Sequence, residues 1–191
     1  MCSSLVEKKT GECSLRRHFL GPAQVLVLLL CTNSGIALAQ KAPNYCPTLL
    51  AVEGAAEPKH RGEISFSPYT VHWSRNPEHK HVVLVAVDEQ LPGDRLCGLS
   101  LFSNSFGQPS VYVYAGQQFK DVLGIPQLFI KLTAGILYGY VAPYENKVPL
   151  NHHGFSPAII PVIGYQFNQR DSLQLKVLGN AGLMFSYGRR F

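Results

Sequence analysis

Three residues have the makings of an acyl-transfer site: His72, Asn104 and Ser105. A serine hydroxyl is a weak nucleophile until an imidazole takes its proton, so a histidine brought beside a serine points to attack on an ester carbonyl. A second pair, His153 and Ser156, stands close together in one loop and would serve a deacylase instead. No metal site is expected, because His79, His81, His152 and His153 lie beside no acid or thiol at ligand spacing. No cofactor is implied either, since ester exchange is near thermoneutral.

His72 and Ser105 are distant in sequence, so a fold must bring them together. After residue 61 the chain breaks into eight segments: 62–73, 80–90, 95–105, 109–120, 127–140, 155–167, 171–179 and 183–191. Each is close to the length that crosses an outer membrane as a tilted strand. Alternation is clearest in the seventh, where Leu173, Leu175 and Val177 oppose Ser172, Gln174 and Lys176, and in the fifth, where Leu128, Ile130, Leu132, Ala134, Ile136 and Tyr138 oppose Lys131, Thr133 and Gly135. This parity sends Lys131 and Lys176 into a lumen. The second segment, Val82 to Val87, is apolar on both faces, which fits side-chain packing or an enclosed hydrocarbon. Tyr112, Tyr114, Phe119, Tyr138, Tyr140, Tyr165, Phe167 and Tyr187 fall near strand ends, where interfacial girdles are expected. The last strand alternates and closes on Phe191, resembling the C-terminal signal of bacterial outer-membrane barrels. The expected fold is therefore all-β: an eight-stranded antiparallel transmembrane β-barrel of the outer membrane, with a soluble eight-stranded barrel as the competitor.

Composition agrees. The 191 residues suit one domain, and 46% apolar with 15% charged residues is charge-poor for a soluble globule. After residue 40 no apolar run is long enough for a membrane helix. Lys8, Lys9, Arg16 and Arg17 precede the apolar Val25 to Leu30, and Ala37-Leu38-Ala39 follows, so residues 1–39 read as a secretory signal. Residues 40–61 then form a polar, proline-punctuated periplasmic lead-in with a turn of helix within Leu49 to Ala56, and 62–191 the barrel. Of the net charge of +5 the signal takes +2, from four basic and two acidic residues, and +3 remains. That balance, with no basic stripe, argues for no nucleic acid. Cys46 and Cys97 are the cysteines left after the signal; they either pair in an oxidising compartment or stand as independent buried thiols.

The links decide which strand ends meet. Those after the second, fourth and sixth segments (DEQLPGD, DVLGIP, NQR) are turn-like, while those after the first, third and fifth hold SRNPEHK, FGQP and the long VAPYENKVPLNHHG. With a periplasmic N-terminus, the odd-numbered links emerge outside. His72, Asn104-Ser105 and the loop bearing Asn151, His152 and His153 then share the outer rim. Strict alternation, however, sets His72 on the face of Ile64 and Phe66, toward lipid, unless a bulge intervenes.

Four stretches resemble the PagP family, the outer-membrane lipid A palmitoyltransferases: Pro68-Tyr-Thr-Val-His72, Phe102-Ser-Asn-Ser105-Phe106, Thr133-Ala-Gly135, and Pro157-Ala-Ile-Ile-Pro161-Val-Ile-Gly-Tyr165. The resemblance implies an eight-stranded barrel that moves an acyl chain from a glycerophospholipid to lipid A, with His72, Asn104 and Ser105 catalytic. It also implies lipid gates at Pro68, Pro157 and Pro161, where a proline cannot donate to the strand ladder. Gly116 and Gln118 would then line the acyl-chain lumen, with Gln118 standing where the family has a glycine at the floor. Asn104 departs from the family's acid, so that an amide is left to orient the imidazole without the charge that would steady an imidazolium, and the Pro-to-His spacing is one residue shorter here. A non-catalytic structural or lipid-binding barrel is therefore the rival reading. Expected partners are membrane lipids, glycerophospholipid and lipid A, together with the barrel-assembly machinery that reads the strand ending in Phe191. The barrel is expected to be a monomer.

Overall fold

The computed structural model describes residues 45–191; the expected signal over 1–39 and the first residues of the lead-in lie outside the described residues. Eight strands form one closed antiparallel barrel: β1 (Gly62–His72), β2 (Leu84–Leu91), β3 (Arg95–Ser103), β4 (Pro109–Phe119), β5 (Leu128–Tyr138), β6 (Phe155–Gln166), β7 (Asp171–Val177) and β8 (Gly182–Arg190). Each strand pairs with the next, and β8 returns to β1. The end of the barrel where β1 finishes is its upper rim. Among the described residues the helical pieces are short 3₁₀ turns, at Thr48–Leu50, Val122–Gly124 and Glu145–Lys147, and no helix is long and apolar enough to cross a membrane.

The alternation works as expected over most of the wall. Ile64, Val87, Leu101, Val113, Ile136, Ile159, Leu173 and Phe185, one from each strand, all face outward and are exposed. An apolar belt that runs around every strand is unfavourable in water and is what a lipid-facing barrel requires. This belt excludes the soluble-barrel alternative.

Two expectations about the wall need correction. Tyr112 and Tyr114 do not sit in an outer girdle: both are buried in the lumen with their rings stacked at 4.7 Å. Their strand alternates with Ser110 and Gln118 inward, and each phenol finds a polar partner there, Thr133 Oγ1 for Tyr112 and Asp88 for Tyr114. Tyr140 lies past the end of β5, half-buried in the upper rim. The second strand also starts later than its apolar run, at Leu84, because its ladder with β1 ends at the Ser67–Leu84 pair.

The lumen has two halves. The lower half is closed by a polar layer in which Lys131 Nζ lies 2.6 Å from Glu63 Oε1 and 3.0 Å from Asp88 Oδ2, while Arg190 Nε and Gln174 Nε2 also donate to Glu63 at 3.0 and 2.6 Å. Glu63 and Lys131 are almost wholly buried, as the fifth-strand alternation predicts for the lysine. Lys176 also points inward, with Nζ 3.5 Å from Ser65 Oγ. The upper half is apolar: Val82, Leu84, Ala86 and Met184 cluster with Phe102 and Leu178, so the inward side of the apolar second strand is packed by its neighbours.

Below the wall, the lead-in is tied to the barrel. Cys46 and Cys97 form a disulfide, which settles the alternative left open by the sequence. The Tyr45 and Cys46 backbone N–H groups donate to Glu89 Oε2 at 2.6 and 2.8 Å, and the Val52 N–H donates to the Pro92 carbonyl at 3.2 Å. The helical turn expected between Leu49 and Ala56 is the 3₁₀ turn Thr48–Leu50. Changing Cys97 to Ser is expected to leave the closed barrel intact, because every ladder closes without the bond, while freeing residues 45–60 to protease. The loss of loop closure over 51 residues costs roughly 2–4 kcal/mol, to be read as an earlier urea midpoint under non-reducing conditions.

Candidate active site

The position of His72 is set by a bulge. Along β1 and β8 the pairs run Glu63–Arg190 to Phe66–Tyr187 and then resume at Tyr69–Phe185, so Ser67 and Pro68 together stand opposite Ser186. One extra residue on one strand reverses the facing of everything after it. Ile64 and Phe66 face outward below the bulge, Tyr69 and Val71 face outward above it, and Thr70 and His72 turn toward the lumen. The lipid-facing orientation that unbroken alternation predicts is thereby overturned.

Ser105 comes to meet it from the β3–β4 turn. His72 Nε2 lies 2.7 Å from Ser105 Oγ, within hydrogen-bond reach for proton transfer. The Lys80 N–H donates to the Ser105 carbonyl at 2.8 Å and so pins the β1–β2 loop to this turn. The His79 ring packs on His72 with centroids 4.3 Å apart. Tyr140 joins Ser105 in lining the cavity beneath the pair. Burial holds the Tyr140 phenol above its ordinary range, so it is a neutral hydrogen-bonding group at neutral pH. Neither His79 nor Tyr140 stands out as functional in the sequence; loops brought together by barrel closure leave no local motif.

Asn104 has a different job from the orienting role expected of it. Its Oδ1 accepts the Phe106 and Gln108 backbone N–H groups, both at 3.0 Å, and its Nδ2 donates to Gln108 Oε1 and the Gly139 carbonyl, both at 3.1 Å. The amide is spent on clasping the turn to the end of β5, and nothing is left for His72. Among the described residues no carboxylate bonds to His72. Placing the family's acid here is expected to harm the protein: in Asn104→Asp a carboxylate replaces an amide donor opposite two oxygens. The cost is about 1–3 kcal/mol, to be read in urea melts, with no gain in any activity.

The His153–Ser156 pair does not assemble. Ser156 Oγ is buried without a hydrogen-bond partner, and the exposed His153 packs against His152 with ring centroids 4.2 Å apart. Asn151 ties the long loop down, donating to the Tyr140 carbonyl at 2.8 Å and accepting the Gly154 N–H at 2.9 Å.

Beneath Ser105 a cavity of about 280 Å³ runs into the upper lumen. Val82, Leu84, Phe102, Leu137, Ile160 and Met184 give it apolar walls, and Asp88, Tyr114 and Lys131 of the polar layer form its floor. Gly116 and Gln118, expected along this lumen, do not line it: Gln118 lies at the lower mouth, where its Oε1 accepts from Arg190 at 3.3 Å. The ladder is also open at two places in the upper half. The β1–β2 pairing stops at Ser67, leaving Pro68 to His72 unpaired on that side, and the β6–β7 pairing stops at Val162, leaving Phe155 to Pro161 without a β7 partner. The three prolines lie in these stretches, where a missing N–H weakens the ladder. The cavity wall runs through the second break, with Pro157 and Ile159 on one side and Gly179, Asn180 and Ala181 on the other.

No family model matches this chain, and no curated protein does. Among solved structures it is similar to a de novo designed transmembrane β-barrel, at 13% identity and a TM-score of 0.51, over 71% of this chain and 100% of the other. The fold is that of a transmembrane β-barrel. A second similar structure is the Yersinia pestis outer membrane protein Ail in a phospholipid bilayer nanodisc, at 13% identity and a TM-score of 0.42, over 70% of this chain and 100% of that one. At such identities the likeness is one of architecture alone. Within that architecture, this barrel has a His–Ser pair above an apolar cavity beside a break in its wall.

Proposed function

We propose that this chain is an outer-membrane acyltransferase that moves an acyl chain from a glycerophospholipid to lipid A or a similar hydroxyl-bearing acceptor. The observation that carries the reading is the 2.7 Å contact between His72 Nε2 and Ser105 Oγ above an apolar cavity. The upper rim is then the cell exterior and the lower rim the periplasmic side. A donor chain enters past Pro157 or Pro68 and lies among Leu84, Phe102, Leu137 and Met184. Ser105 Oγ attacks the ester carbonyl while His72 takes its proton, and the tetrahedral intermediate collapses as His72 returns that proton to the departing lysolipid alkoxide. The acceptor hydroxyl then repeats the exchange on the acyl-serine, with His72 again the base, and Ser105 is released protonated. No cofactor enters.

The absence of a carboxylate beside His72 favours a second reading, a lipid-binding barrel without turnover. Mass spectra of lipid A from cells making the chain separate the two. Transfer adds one acyl mass to lipid A and leaves lysophospholipid; a binding barrel carries phospholipid through purification and changes neither pool. Unaltered lipid A from cells with abundant folded protein overturns the enzyme reading.

A further inference from the structure

A second cavity, of about 200 Å³, lies at the lower mouth, separated from the first by the polar layer. It is formed where the lead-in crosses under the barrel: Lys59 and His60 from the lead-in, Gln90 from β2, Gln118 from β4 and Arg190 from β8 contribute to its walls. A space of this size admits more than a single water, for which roughly 10–15 Å³ suffices.

Its chemistry is one-sided. Gln90 is only 7% exposed and, among the described residues, its Nε2 has no hydrogen-bond partner; His60 Nε2 is likewise buried and unpartnered among them. Buried polar atoms are ordinarily satisfied, so two orphans lining one cavity mark a place where a hydrogen-bonding guest belongs. The charges around them are mainly positive. Lys59 bonds to the neutral Gln169 Oε1 at 2.8 Å and, among the described residues, to no carboxylate. Asp94, the one acid in the wall, is occupied by Lys120. Arg190 is neutralised in part by Glu63, which also serves Lys131. His60 is held below its ordinary pKa, first by burial and then by the cationic field of Arg170, Lys59 and Arg190.

We infer that the lower mouth is a binding site for a small oxyanion of the phosphate class, held by the Lys59 ammonium, the Gln90 amide and the His60 imidazole. A tetrahedral anion can accept hydrogen bonds from several donors at once, and these come from two parts of the chain, Lys59 and His60 of the lead-in and Gln90 of β2. The site is independent of the His72–Ser105 chemistry. The phosphate is free inorganic phosphate, a soluble phosphate monoester, or the headgroup of a neighbouring phospholipid, since all three present the same group.

The test uses the full chain folded in micelles of a phosphate-free detergent, titrated at constant ionic strength with inorganic phosphate, glycerol phosphate or short-chain phosphatidylglycerol, with chloride as control. A saturable rise in Tm is expected, because a ligand that binds only the folded state stabilises it by mass action. A bound anion offsets the cationic field at His60, so the midpoint of its ring-proton NMR titration should rise with phosphate. Gln90→Leu and Lys59→Gln should each weaken the apparent affinity at least tenfold. Because Gln90→Leu removes an unsatisfied buried group, its ligand-free Tm should hold or increase, which keeps a lost response from being mistaken for misfolding. A response to phosphatidylglycerol alone assigns the site to lipid headgroups; a response to the soluble anions assigns it to free phosphate. No saturable response to any of the three, or an equal response in both variants, overturns the inference.

Discussion

Under the proposed acyl transfer to lipid A, Ser105→Ala and His72→Ala are each expected to lower the rate by at least about a hundredfold, the low end of what a positioned general base contributes. The two losses should not add. Ser105 and His72 share one proton across 2.7 Å, and residues that act as a unit cost about as much singly as together. The double variant is therefore expected to match the worse single one, measured as lysophospholipid release in detergent micelles. The rate should also fall as pH drops and the imidazole takes up a proton, since an imidazolium cannot accept the serine's. Two losses that multiply, or a flat pH profile, would show that the groups act separately and that the contact is structural. Asn104 sharpens the expectation: with no carboxylate among the described residues to steady the imidazolium, the proposed turnover should be slow.

The second large effect is on stability. Lys131→Met removes the cation that Glu63 and Asp88 share at 2.6 and 3.0 Å. Glu63 keeps Arg190 and Gln174, whereas Asp88 keeps, among the described residues, the Tyr114 phenol as hydrogen-bond partner and the Lys176 ammonium as the remaining nearby cation. Breaking a buried pair by deleting one partner costs about 3–5 kcal/mol, whereas replacing the whole group with apolar residues of like volume is often neutral. The single variant should thus unfold far earlier in urea, followed through the fluorescence of Trp73, the single tryptophan. A triple variant, Lys131→Met with Glu63→Gln and Asp88→Asn, should recover much of the loss. A single variant within about 1 kcal/mol of the parent, the range of an exposed pair, would mean that water reaches the polar layer.

Much of this barrel can be read from residue order. Alternation in the fifth and seventh segments predicts which side chains face lipid, and it sends Lys131 inward, where its partners wait. The turn-like and longer links also predict that His72 and Ser105 share a rim. What escapes is whatever depends on a count of one. The bulge at Ser67 and Pro68 reverses His72, and a period of two carries no mark of an inserted residue. Tyr112 and Tyr114 escape for another reason: an aromatic ring suits an interface and a lumen equally, and only the partners Thr133 and Asp88 decide. Asn104 stands where the sequence resemblance leads one to expect an acid, yet its four hydrogen bonds belong to the turn. Position in a motif does not reveal where an amide's bonds go.

The two interruptions in the ladder have a mechanical consequence. Below Ser67 and from Val162 onward the ring of backbone bonds is unbroken, so that part behaves as a rigid collar. Above it the cylinder parts into two jaws, β2 to β6 on one side and β7, β8 and β1 on the other. His72 rides on the second jaw and Ser105 on the first, so their hydrogen bond is a latch across the split. A guest that entered from the side by parting the jaws would uncouple base from nucleophile, and the pair would re-form once the jaws had shut behind it.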